Sequence, residues 1–366
     1  MILMEIRPVT LPSHSAKPVR KRFLGNIHSF RAIAIIFVVA GHCVWFLPLA
    51  TGSSALRILT VLFSDGAVLF VFVSGFLFQY LHRNFRYDTY LKKKLSHVIL
   101  PYLLVSAPAV FFAVYRHDPA MQYPQLAGHS LFYDIAWFYI KGGAHMDFPL
   151  WFVPMIALYF LAAPAFSYVI KHPFLYWAIL PLFVVSALLH RPQFPNLDTL
   201  HVALYLLPAY LLGMWSCRSE HTTLEFLQNR PATVYALLLL CWLMPFALDP
   251  HVGNHEESGY FTFETGWIDW LFVQKALLAV LLTVALKQWP EVWHRRLSPL
   301  ADTSFAVFFL HGYWLRLANH VLTRYPLQGG LLASLAFAAL IYGLSHGSAL
   351  VVKAAAPRWS RYLIGY

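Results

Sequence analysis

The sequence predicts an all-α fold, a polytopic transmembrane helix bundle of about ten spans with both termini cytoplasmic. Three observations lead there. Of the 366 residues 59% are hydrophobic and 12% charged, with a mean hydropathy of +0.58. A soluble domain carries about 25% charged residues and could not cover its surface with so few. Apolar runs long enough for a hydrocarbon core of about 30 Å recur from residue 28 to residue 352. The Lys and Arg residues lie between those runs and favour alternate loops, which fixes an orientation.

In chain order the spans fall at about 28–47, 60–81, 97–115, 148–170, 173–190, 200–217, 231–248, 267–286, 301–322 and 329–352. Residues 1–27 form a cytoplasmic basic segment, 28–352 the membrane domain, and 353–366 a cytoplasmic tail. The cluster Lys17, Arg20, Lys21 and Arg22 precedes an apolar segment longer than that of a signal peptide, so the first span reads as retained. Pro108, Pro154, Pro164, Pro181, Pro208 and Pro245 lie inside spans and predict kinks. With the N-terminus inside, 19 of the 27 Lys and Arg face the cytoplasm. Five (Arg57, Arg116, Lys141, Arg191, Arg324) face outward, and Arg31, Lys275 and Arg316 remain within spans. The net charge of +11 therefore reflects topology, with the bilayer as partner and no nucleic acid. Cys43, Cys217 and Cys241 show no metal-ligand spacing, so neither a metal nor a disulfide framework is expected.

An ionisable group inside a span costs at least a few kcal/mol and requires an explanation. Arg31 and His42 are eleven residues apart, about three full turns, so they share one face of the first span roughly 16 Å apart along its axis. The arginine lies at the cytoplasmic edge and the histidine past the midplane. A forked, permanent cation suits phosphate, and a near-neutral imidazole suits deprotonation of a hydroxyl. The alternative is an arginine that snorkels and a histidine that bonds a neighbouring helix. Asp65 lies at a depth similar to that of His42, where a carboxylate would orient the imidazole, or it is an interfacial residue. Ser74 and Gly75 read as a packing seam or a site lining. His311, near the midplane of span nine, shares a cavity with His42 or is a satisfied core histidine. At the outer edge His145, Asp147 and Trp151 form an interfacial belt or the mouth of an acceptor site. Lys93 and Lys94 are topology determinants or phosphate contacts.

Taken in order, the motifs RAIAIIFVVAGH (Arg31 to His42), FVFVSGF (Phe70 to Phe76), KKKLSHVILPY (Lys92 to Tyr102), LWFV (Leu150 to Val153), YLLPAYLLG (Tyr205 to Gly213) and SFAVFFLH (Ser304 to His311) resemble those of the acyltransferase 3 family of membrane O-acyltransferases. The resemblance covers the whole chain; His97 stands where the family often has Arg, and Phe305 where it has Tyr. It implies transfer of an acyl group, most often acetyl from acetyl-CoA as co-substrate with no bound cofactor, onto a hydroxyl of a polysaccharide or lipid-linked glycan at the bacterial inner membrane. By position, His42 would be the catalytic base, with direct transfer or an acyl-histidine step both open. Arg31, Ser74, Gly75 and His311 would serve the acyl-CoA side. No SGNH-type hydrolase domain follows the last span, so this chain or a separate polysaccharide-synthesis partner is expected to complete the transfer. Two readings from other classes remain: a transporter or flippase of a lipid-linked sugar, which would use kinked helices and midplane polar groups, and a haem protein with His42 and His311 as axial ligands.

Overall fold

The computed structural model describes residues 25–47, 49, 52–116, 126–141, 149–192, 198–220 and 222–366. The chain is a helical bundle. In order, the helices are α1 (Gly25–Cys43), α2 (Ser54–Phe63), α3 (Gly66–Leu81), α4 (Tyr87–Lys94), α5 (Leu100–Arg116), α6 (Leu131–Lys141), α7 (Phe152–Leu161), α8 (Ala163–Lys171) and α9 (Ile179–Leu189). Then follow α10 (Thr199–Arg218), α11 (Glu225–Gln228), α12 (Pro231–Leu248), α13 (Trp270–Lys287), α14 (Glu291–Arg324), α15 (Leu331–Ala355) and α16 (Ser360–Leu363). A π-helical turn, Leu95–Ile99, joins α4 to α5. The two-residue strands β1 (Arg191–Pro192) and β2 (Glu256–Glu257) pair in parallel.

Among the described residues seven helical segments are long and apolar enough to cross a bilayer, or eight if α7 and α8 form one broken span. Each of the ten expected spans falls on a helical segment, but two fall short of that criterion. Pro173–Leu189 is shorter and opens with a 3-10 stretch. The 34-residue α14 carries Asp302, His311 and Arg316 in its apolar part. The span expected at 148–170 is bent by 55° between α7 and α8. Pro164 in the first turn of α8 lacks the N–H that would continue the ladder. Where α2, α10 and α13 begin, Ser53, Asp198 and Asp269 each accept a hydrogen bond from the backbone N–H three residues on, which satisfies donors that lipid could not.

The centre of the bundle is a parallel pairing of α1 with α14. Ser29 bonds His294 at 2.8 Å, His28 meets Asp302 at 3.2 Å, Arg31 donates to Ser304 at 2.9 Å, and the rings of His42 and His311 lie 5.2 Å apart. From Ser29 with His294, through Arg31 with Ser304, to His42 with His311, the contacts advance along both helices. On the adjoining flank of α1, glycines bring backbones into contact. A Cβ at Gly41 would lie 2.7 Å from the Phe63 carbonyl oxygen, and one at Gly66 would lie 3.0 Å from the Val38 nitrogen. This clamps the break between α2 and α3 against the end of α1.

A second close crossing joins α3 to α10. A Cβ at Gly75 would lie 2.0 Å from the Tyr210 carbonyl oxygen, and one at Gly213 would lie 2.0 Å from that of Phe72. Small residues on both helices make this approach possible. Gly75→Val or Gly213→Val should therefore force the two helices apart and destabilise the fold by about 1–3 kcal/mol or more. Gly343, whose added Cβ meets nothing within 4 Å, should accept alanine without loss. Thermal unfolding midpoints of the purified variants in one detergent would show a clear drop for the first two and none for Gly343→Ala.

Candidate active site

A cavity of about 660 Å³ opens where α1 ends. Its wall is built from Val38, Gly41, His42, Trp45 and Phe46 of α1 and the turn after it, from residues 63–67 at the α2–α3 break, and from Trp151 and Phe152 at the start of α7. Arg191 and Pro192 of β1 and His251, Gly253, Asn254, Glu256 and Thr265 of the loop between α12 and α13 roof it. Phe70, Phe305 and Phe308 complete its wall.

His42 and His311 are held alike. Nδ1 of His42 lies 2.7 Å from the Val38 carbonyl oxygen, and Nδ1 of His311 lies 3.0 Å from that of Val307. A carbonyl can only accept, so both Nδ1 atoms carry the proton and both Nε2 atoms carry the lone pair. Each imidazole is thus set as a base at Nε2. His42 lines the cavity; His311 is fully buried behind it, with no described residue bonding its Nε2. A ring separation of 5.2 Å leaves no room for a porphyrin between them.

Asp65 also lines the cavity, but its carboxylate does not hold His42. Oδ1 accepts from Nη1 of Arg191 at 3.1 Å, while Val38 orients the imidazole. A guanidinium is a stronger partner for a buried carboxylate than a neutral ring. Asp65 sits at φ 56°, in the left-handed region that aspartate tolerates better than most residues, and this residue is where the chain turns from α2 into α3. No side chain caps α3, so its first backbone N–H groups, at Gly66 and Ala67, stand beside the cavity that both residues line. Arg191 also donates Nη2 to Glu256 and lies 5.5 Å over the ring of Trp151. Arg191, Glu256, Trp45, His251 and Asn254 had no assigned role in the sequence. The available signal was a cation, Arg191, expected on the same side as the loop that carries Asp249, Glu256, Glu257 and Glu264.

The other end of α1 is basic. Arg31 is held by Ser304, and Lys94 lies 4.7 Å over the ring of Phe160 and within electrostatic range of Arg31. Lys93 is exposed. Ser74 bonds the Phe70 carbonyl oxygen of its own helix, Gly75 is the contact with α10, and neither is among the residues of the cavity wall. His145 and Asp147 lie outside the described residues. Among the described residues no group of three His, Cys, Asp or Glu is placed to hold a metal ion.

Buried ion pairs fix the roof. Glu257 is fully buried and accepts from Thr262, from the backbone N–H of Glu264, from the N–H and hydroxyl of Thr265, and from His190. Burial opposes its ionisation, but the bonds from Thr262, Thr265 and His190 outweigh it and hold the carboxyl at about 2. Nε2 of His255 lies 2.7 Å from Asp249. Burial pushes that imidazole down, and the bond to Asp249 with the charges of Asp269, Asp249 and Asp65 raises it above the ordinary 6.5. The His255 clasp thus contributes fully below pH 6.5 and is lost as pH rises through its elevated value. Hydrogen exchange of residues 250–268, corrected for intrinsic rates, should accelerate between pH 6 and pH 9, and His255→Gln should remove that pH dependence.

No curated protein and no solved structure matches the chain. The family model described as an acyltransferase domain matches residues 24–348, a stretch that contains α1, α14, both histidines and every residue of the cavity wall. The chain belongs to the acyltransferase 3 family.

Proposed function

We propose that the protein is a bacterial inner-membrane O-acyltransferase that moves an acyl group, acetyl from acetyl-CoA in the first instance, onto a hydroxyl of a polysaccharide or lipid-linked glycan. Both termini face the cytoplasm in this reading, so the basic end of the bundle meets the donor and the cavity faces outward. The observation that carries it is His42: an imidazole locked by Val38 with its Nε2 lone pair available, in the wall of a cavity large enough for a substrate. The same helix carries Arg31 about 16 Å away along its axis, at the donor end, with Lys94 nearby.

The phosphates of acyl-CoA dock at Arg31 and Lys94, and the pantetheine arm extends along the α1–α14 seam towards His42. The acceptor hydroxyl enters the outer cavity. His42 Nε2 removes its proton as the oxygen attacks the thioester carbonyl. The resulting oxyanion lies at the open start of α3, where the N–H groups of Gly66 and Ala67 and the positive end of the helix dipole stabilise it. As the intermediate collapses, the carbon–sulfur bond breaks and His42 returns the proton to the sulfur, giving an ester and free CoA. His311 packs beside His42 and sets the position of its ring.

His42→Ala should lower acyl transfer by purified protein about 10²–10⁴-fold; retention of the wild-type rate would sink the assignment. Ala67→Pro deletes one N–H in the first turn of α3, where proline is sterically tolerated. It should reduce kcat by about a hundredfold with little change in KM, the signature of an interaction made in the transition state. A change in KM alone would show that the start of α3 does not face the oxyanion.

A further inference from the structure

An unoccupied arginine in the cavity wall would make the outer cavity a carboxylate or phosphate site. Arg191 is not unoccupied. Nη1 donates to Asp65 at 3.1 Å, Nη2 donates to Glu256, and Cζ lies 5.5 Å over the ring of Trp151. The β1–β2 pairing sets Arg191 opposite Glu256 in register, so this occupation is built into the backbone. Asp65 and Glu256 together outweigh Arg191, and the wall carries one surplus negative charge.

The groups behind the wall do not reverse that sign. Lys275, which donates to the Val61 carbonyl oxygen at 2.9 Å, lies within electrostatic range of both Asp65 and Asp269, so two carboxylates face that one cation; Asp269 also accepts from Tyr205 at 2.8 Å. His255 is paired with Asp249 and His190 with Glu257. His42 and His251 are the remaining titratable residues of the wall. Nε2 of His251 lies 3.2 Å from the Asn254 carbonyl oxygen, a bond that donates a proton and adds no net negative charge.

The rest of the lining is amphipathic. Trp45 is half exposed at the cavity, Phe46 and Trp151 add aromatic surface, and Asn254 supplies an amide that donates to Glu256 at 3.4 Å. Indole faces take the C–H face of a pyranose, while carboxylates and amides take its hydroxyls. A volume of about 660 Å³ falls within the range of small-molecule sites and admits more than one ring.

We propose that the cavity is a subsite for an uncharged sugar residue and that Glu256, with Asp65, excludes anionic ones such as uronates and sugar phosphates. The proposal rests on the reading that this cavity delivers the acceptor hydroxyl to His42. Its test uses the full chain in neutral-lipid nanodiscs at low ionic strength. Binding of methyl glucopyranoside and of methyl glucopyranosiduronate, which differ only at C6, is followed by saturation-transfer NMR, and acetyl transfer from acetyl-CoA is followed in parallel.

The neutral sugar should bind at least tenfold more tightly than the uronate. Glu256→Gln should bring the two within about threefold, and added salt should narrow the gap in the wild type. Trp45→Ala, at the mouth and outside the charge cluster, should weaken both sugars and leave their ratio unchanged. Equal or tighter uronate binding, an unchanged ratio in Glu256→Gln, or no binding of either sugar overturns the proposal. Selective binding without any acetyl transfer would remove the acyltransferase reading and leave the sugar subsite standing. Transfer to both sugars with no discrimination would do the reverse.

Discussion

A membrane helix that carries an arginine and a histidine on one face needs a neighbour that answers both, and α14 is that neighbour. Each ionisable group would cost a few kcal/mol against lipid. Ser304 takes Arg31, Asp302 takes His28, and His311 packs against His42. The two helices run parallel, so one contact fixes the register of all the others. The flank of α1 beside that pairing carries the glycine contacts at Gly41 and Gly66, and those contacts bring the α2–α3 break beside His42. The cavity, its base and the open start of α3 all follow from one helix pair.

The roof obeys a different logic. Buried charge clusters often add little to stability once desolvation is counted, and what they provide is position. Asp65, Arg191 and Glu256 come from three separate parts of the chain, and their bonds tie the helix break, the short strand and the loop between α12 and α13 into one wall. Glu257, with its hydrogen-bond partners on His190 and the 262–265 turn, anchors the same loop from behind. The shape of the cavity is therefore held by polar bonds that link three distant parts of the chain.

Much of this was legible in sequence because the governing periods are local. Eleven residues on a helix return to the same face, so Arg31 and His42 could be paired before any coordinates existed. Asp65 was expected near His42, and both line the cavity, but its partner was not foreseen, because Arg191 lies 126 residues further on, in a two-residue strand that leaves no alternating pattern. Gly75 is a different case: a glycine beside a serine in an apolar run has the same appearance at a seam and at a site, and only the carbonyl of Tyr210 decides between them. Trp45 was hidden because an indole near the end of a span is ordinarily an interfacial anchor.

The α1–α14 pairing also bears on how the protein is made. Arg31 and Ser304 are 273 residues apart, and at roughly 5–20 residues per second the ribosome delivers the second tens of seconds after the first. During that interval α1 must be inserted with its arginine unanswered by the helix that will finally hold it. An insertion machinery that shelters a lone cationic helix, or a temporary partner within the early chain, is a condition of biogenesis that the finished bundle no longer displays. No product that stops short of α14 can contain both histidines or the side chain that holds Arg31.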